Sequence, residues 1–281
     1  MTLLRRLRPA SVLLVASGVV LALLILVAIL APLISPYDYA NQNLLERLQP
    51  PVFLGGDWDH VLGTDALGRD TLSRLFHAVR ISVGIAFLGT LISAVIGIAL
   101  GIYAAYAKGL AEEVIMALVD AQAAVPFIII ALMLLAFIGN SLLLFIVIMG
   151  IAGWEGYARL SRGLVLSAES QGYVVALRSL GSSSGRIYLR HILPNVAGTM
   201  ITQMTLSFPA TMLAETSLSF LGLGIRPPLT SLGEMLGSGR DYLVTAWWLA
   251  VIPGSVIFLA SLLVSILGDW LRDKPDPTMR N

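Results

Sequence analysis

Along this chain the apolar residues neither alternate with polar ones nor mark a single helical face; they run in long tracts. The first, Ala10 to Ile34, holds about 25 residues, and comparable tracts recur over 79–107, 112–138, 141–160, 196–222 and 246–270. A hydrocarbon core about 30 Å thick takes roughly 20 helical residues to cross. With the first span drawn at 11–34, the pattern predicts an all-α polytopic membrane protein with six transmembrane helices. Arg5, Arg6 and Arg8 precede the first tract as they would a signal peptide. That tract exceeds the 7 to 15 residues of a signal-peptide core, so it reads as a retained anchor.

Two polar stretches interrupt the tracts. Ser35 to Val79 carries Pro36, Pro50, Pro51, Gly55, Gly56 and five aspartates, which is turn chemistry, and reads as a folded loop outside the bilayer. Ile225 to Thr245 forms a second insert before the last helix. The expected organisation is residues 1–34 as N-terminus and first span, 35–78 as loop, 79–270 as a five-helix core, and 271–281 as tail.

Composition agrees: 57% of the 281 residues are apolar and 12% charged, against roughly a quarter charged in soluble domains. Charge placement orients the chain. An N-in arrangement puts twelve of the eighteen basic residues on the cytoplasmic side, among them Lys108, Arg159, Arg162, Arg178, Arg186 and Arg190. Arg47, Arg69, Arg74, Arg226 and Arg240 fall opposite, with Arg80 at an interface. By the positive-inside rule both termini are cytoplasmic. The basic residues form no long run, which gives no nucleic-acid footprint.

One cytoplasmic connection, 163–195, is long and too polar to insert. Ser167 fits an N-cap with Glu169 in the following turn, and Tyr173, Ala176, Leu177 and Leu180 fall at i, i+3, i+4 and i+7, an apolar helical stripe. Gly181 stops that helix, Ser182 to Gly185 turn, a second short helix carries Arg186 and Arg190, and Pro194-Asn195 opens the next span.

Most site chemistry is absent. There is no cysteine, and the two lysines are followed by Gly109 and Pro275, so neither completes a P-loop. His60, His77 and His191 are scattered, and no H-E-x-x-H pair exists. Asp120, Glu155 and Glu215 lie within spans, where an ionisable group is costly unless it faces protein or water. They read equally as a hydrated translocation path or as structural hydrogen-bonding groups. Gly97-x-x-x-Gly101, continued by Ala105, presents a flat strip for close helix packing.

The 163–195 segment resembles the coupling segment of binding-protein-dependent ATP-binding-cassette importer permeases, whose pattern is E-A-A, three residues, Gly, nine residues, I-x-L-P. Val175, Ala176 and Leu177 occupy the E-A-A positions, Gly181 follows at the right spacing, and His191 stands at the Ile position before Leu193-Pro194. Val175 and Leu177 depart from the pattern. The run His60 to Asp70, with Ser73-Arg74 and Arg80-Ile81-Ser82, and the run Glu215 to Pro228 with Gly239 to Tyr242 and Leu267 to Asp273, resemble the C-type subunit of the oligopeptide, dipeptide and nickel branch. Leu232 stands where a tryptophan is usual.

The resemblance implies a type I importer permease fold in a bacterial inner membrane and a non-enzymatic subunit without its own cofactor. Its partners would be a homologous second permease, two cytoplasmic ATPases that bind ATP and magnesium, and an extracytoplasmic solute-binding protein. Tyr173, Ala176, Leu177 and Leu180 would enter an ATPase groove, with Arg178, Arg186 and Arg190 at its rim. Thr64, Asp65, Arg69 and Asp70 would either contact the binding protein or vestibule, or simply fold the loop; their turn chemistry favours folding. Short peptides are the expected solute, with nickel, metal chelates or another small solute as alternatives within the same architecture. A gradient-driven secondary carrier and a membrane-embedded hydrolase are the readings from other classes, and the coupling segment disfavours both.

Overall fold

The computed structural model describes residues 9–139 and 141–273. The expected N-terminal Arg5, Arg6 and Arg8 and the tail from Lys274 lie outside them. Among the described residues eleven α-helices are formed: α1 (Pro9–Ile34), α2 (Thr71–Ala107), α3 (Gly109–Ala124), α4 (Phe127–Ile138), α5 (Leu142–Ile151), α6 (Trp154–Glu169), α7 (Gly172–Ser179), α8 (Ser184–Ile187), α9 (Leu193–Phe220), α10 (Leu232–Gly239) and α11 (Trp248–Asp273).

The six expected spans map onto α1, α2, α3–α4, α5–α6, α9 and α11, with corrections. Among the described residues, four are long and apolar enough to cross a membrane: Leu14–Ile34, Thr71–Ala107, Leu142–Glu169 and Trp248–Arg272. The third expected span, 112–138, is broken. Pro126 stands between α3 and α4, which meet at 87° and count as a fifth span only together. Proline removes a helical donor and restrains the residue before it, here Val125, to extended backbone. The α9 helix has the length, at 28 residues, but its Thr, Ser, Gln and Glu positions leave it outside the strongly apolar set.

Helix α2 is the hub, touching α1, α3, α5, α6, α9 and α10. It begins eight residues before the expected boundary because Asp70 caps it, its Oδ2 accepting from the Ser73 N–H at 2.7 Å. The glycine strip packs as expected, against α6. A Cβ on Gly97 would lie 2.3 Å from the Trp154 carbonyl oxygen, and one on Gly101 2.0 Å from Ser161 Oγ. Three apolar clusters then stack along the bundle: Leu75, Ala78, Met212, Leu232 and Ile257 near the loop; Ile85, Leu135, Phe145, Ile148 and Leu218 in the middle; Ala105, Val165, Val174, Ile187 and Val196 at the opposite end.

Between α8 and α9 the chain does not turn. Tyr188–Ile192 forms a π-helical segment, so helical backbone continues from Ser184 to Phe220. Pro194 lacks the N–H that would return to Arg190 and its ring crowds that carbonyl, which the wider π register relieves.

Candidate functional site

The 163–195 segment sits at the end of the bundle opposite the 35–70 loop, where α2, α6, α7 and α9 converge. Ser167 and Glu169 belong to the last turn of α6, so Ser167 is not the expected N-cap; Gln171 holds that place at α7 without a side-chain cap. The α7 helix closes as a Schellman turn: the Ser182 N–H reaches the Leu177 carbonyl at 3.1 Å and the Gly181 N–H that of Arg178 at 3.0 Å, with Gly181 at φ +78°.

The orientation of α7 corrects the expected stripe. Val174, absent from that stripe, is fully buried against Val165, Ala168, Ile187 and Ile192. Leu177 is half-buried and packs on the same cluster. Tyr173, Val175, Ala176 and Leu180 stay exposed, Leu180 by 82%. In an eight-residue helix with apolar residues at 173–177 and 180, two apolar faces compete, and packing against the bundle selects 174 and 177. Arg178, Arg186, Arg190 and Pro194 are exposed, and His191 and Leu193 half-buried.

A carboxylate ties this segment to the bundle. Glu169 accepts hydrogen bonds from Lys108 Nζ at 3.0 Å, Tyr188 Oη at 2.6 Å and Arg178 Nη2. It therefore joins the end of α2, the end of α6, α7 and the π segment. Tyr106 packs edge-on against Tyr188, ring centroids 5.4 Å apart. Burial, then the hydrogen bond to the Glu169 carboxylate and its charge, pushes the Tyr188 phenol well above its ordinary value, so it stays a donor. Glu169 is the one carboxylate between Arg162 and Asn195, among several arginines, and that imbalance was the available sequence signal.

The three span acids do not converge on a path. Asp120 is exposed on α3 and pairs with Arg159 at 3.1 Å. Glu155 lies in the first turn of α6 with Oε2 buried and unpartnered. Glu215 is fully buried: Ser82 Oγ donates to Oε2 at 3.0 Å, Ser219 Oγ donates to Oε1 at 2.8 Å, and Ser82 accepts the Leu232 N–H at 3.0 Å. It fastens α9 and α2 to the start of α10.

At the loop end, Thr64, Asp65, Arg69 and Asp70 are each no more than 8% exposed and turn inward. Thr64 bonds Glu46 and Gln49 backbone; Asp70 bonds His60 Nδ1 at 2.9 Å; Asp65 takes Arg69 Nε at 2.7 Å and also Arg74, which reaches Glu234 of α10 at 2.7 Å. Burial raises the Asp65 carboxyl, but Arg74, Arg69 and two backbone N–H groups outweigh it and hold the group below its ordinary value. These residues fold the loop and dock it on α10.

Comparison with known proteins places this architecture. The family model described as binding-protein-dependent transport system inner membrane component matches residues 97–281, and that of the N-terminal TM domain of oligopeptide transport permease C matches residues 4–51. The chain is 39% identical over 260 residues to the di/tripeptide transport system permease protein DppC of Pseudomonas aeruginosa (strain UCBPP-PA14), covering 92% of this chain and 86% of that one. It is 36% identical over 262 residues to the oligopeptide transport system permease protein OppC of Bacillus subtilis (strain 168), covering 93% and 84%. Among solved structures, an inward-facing MetNI methionine ABC transporter aligns with TM-score 0.58 at 18% identity, covering 72% of this chain and 96% of that one, which shows a shared fold. The chain belongs to the family of binding-protein-dependent transport system inner membrane components.

Proposed function

We propose that this chain is one of two membrane subunits of an ATP-driven importer of short peptides, and that α7 is the element through which cytoplasmic ATPases act on it. The observation that carries the reading is the two-sided α7: Val174 and Glu169 fix it to the bundle while Tyr173, Val175, Ala176 and Leu180 remain uncovered. An apolar face left exposed outside the bilayer, rimmed by Arg178, Arg186 and Arg190, fits a helix-in-groove contact. The peptide substrate follows the names of the relatives, which carry di-, tri- and oligopeptides.

In this reading both termini and α7 face the cytoplasm, the 35–70 loop faces outward, a homologous permease completes the path, and a solute-binding protein delivers the peptide. ATP and magnesium belong to the ATPases, since neither lysine here lies in a P-loop. Closure of the ATPases would draw α7 inward and, through Glu169, carry α2, α6 and α9 with it.

The test begins with sidedness. The chain has no cysteine, so Leu180→Cys and Trp58→Cys can each be labelled alone in intact cells with an impermeant maleimide. Trp58 should label from outside and Leu180 only after lysis. Leu180→Asp should then abolish co-purification of the ATPases and uptake of labelled dipeptide. Co-purification unchanged in Leu180→Asp would place the contact elsewhere.

A further inference from the structure

One cavity among the described residues has no part in the coupling reading. It occupies about 430 Å³ between α2 and α5 on the loop side. At its upper end stand Arg80, Thr230 and the stacked pair Tyr39–His77, ring centroids 4.2 Å apart. Below them, Ile81, Gly84, Ile85 and Leu88 of α2 face Leu142 and Ile146 of α5. The cleft is therefore cationic at one end and apolar along the rest.

Helical rise fixes its depth. From Arg80 to Lys108, at the far end of α2, is 28 residues, about 42 Å at 1.5 Å each. A bilayer including its headgroup regions is about 40–45 Å thick. With Lys108 at one headgroup level, Arg80 stands at the other, and Ile81 to Leu88 descend one helix face into the hydrocarbon. Arg80 is exposed and forms no ion pair among the described residues, unlike Arg74 one and a half turns above it, which holds two carboxylates. Gly84 keeps the cleft open: a Cβ there meets nothing within 4 Å.

We propose that this cleft is a binding site for one anionic phospholipid, its phosphate on Arg80 and an acyl chain along Gly84 and Leu88. Charge complementarity chooses this occupant. An unpaired guanidinium at headgroup depth attracts a phosphodiester, and the apolar lining below it has no polar group to satisfy on a peptide backbone. The site is independent of the transported solute.

The assembled importer, stripped of lipid and titrated in native mass spectrometry with phosphatidylglycerol or phosphatidylcholine of identical chains, tests it. Wild type should retain one phosphatidylglycerol about fivefold more than phosphatidylcholine, the effect of one cation near a membrane surface. Arg80→Gln should bring that ratio to about one while Arg80→Lys preserves it. Gly84→Leu should displace both lipids, and glycerol phosphate, which lacks chains, should not compete. Equal retention of the two lipids by wild type, an unchanged ratio in Arg80→Gln, or displacement by glycerol phosphate would each overturn the proposal. So would a photoreactive residue at Leu88 that captures the second permease or the transported peptide instead of lipid.

Discussion

Replacing Gly181 by valine isolates the backbone exit from α7. Gly181 holds φ +78°, and a Cβ there would meet no neighbouring heavy atom within 4 Å. Crowding by other residues contributes nothing, so the cost is conformational. An L-residue in the left-handed region costs roughly 1–2 kcal/mol, more when β-branched and less for asparagine. A penalty of about 2 kcal/mol lowers the native population of this turn relative to its alternatives by roughly thirtyfold. Insertion and bundle packing should be untouched, because no buried cluster includes residue 181. The complete importer in proteoliposomes, with ATP hydrolysis and peptide uptake read from one sample, should then show hydrolysis persisting while uptake falls at least tenfold in Gly181→Val. Gly181→Asn should retain most uptake. Wild-type uptake per ATP in the valine variant would refute the claim that this turn transmits the stroke.

Other perturbations separate packing from charge. Gly97→Ala puts a Cβ 2.3 Å from a backbone oxygen and should cost about 1–3 kcal/mol in detergent unfolding, whereas Gly84→Ala, in open space, should not; equal stability of both would mean that α2 and α6 are not in backbone contact. Glu169→Ala should speed amide exchange through 172–180, while Lys108→Ala, whose side chain is 56% exposed, should change it little; the same protection in both variants would remove Glu169 as the tie. The Asp65 carboxyl is depressed in the folded loop, so its stabilisation is fully present above the unfolded value near 3.9 and is lost as pH falls through the folded one. Protease nicking of 35–70 should accordingly be flat from neutral pH to about 4.5 and rise only below about 4. Arg74→Ala should unfasten the loop from α10 at neutral pH, costing about 3–5 kcal/mol, and nicking no faster than wild type would refute that role.

Much of this architecture could be read from the sequence because its causes are local. Tract length against bilayer thickness located the spans, and Gly181 and the Gly97–Gly101 strip did in the structure what their residue types require. The errors have a common source in tertiary choice. The pattern at 173–180 carries two apolar faces, and only contact with Val165 and Ile187 decides that Val174 goes in. Glu215 has the same composition signal whether it meets water or Ser82 and Ser219; Ser219 is one turn on in the same helix, but Ser82 comes from α2, 133 residues away. Pro126 sits in what reads as one span over 112–138, and that it breaks the helix by 87° rather than kinking it is not given by the local pattern. The loop residues Asp65, Arg69 and Asp70 turn inward because each finds a buried partner, Asp65 with Arg69 and Arg74, and Asp70 with His60.

The unbroken helical run that begins at Ser184 sets a gearing ratio. From there to Phe208, just before Pro209, is 25 residues, about 37 Å of rod at 1.5 Å each. A tilt of about 5° applied beside α7 carries the far end sideways by about 3 Å, roughly the width of one methylene-lined contact. The turn at Ser182–Ser183 joins α7 to the rod, and from Ser184 no further break absorbs the angle before Pro209, so a small stroke at one membrane face arrives amplified near the middle of the bilayer.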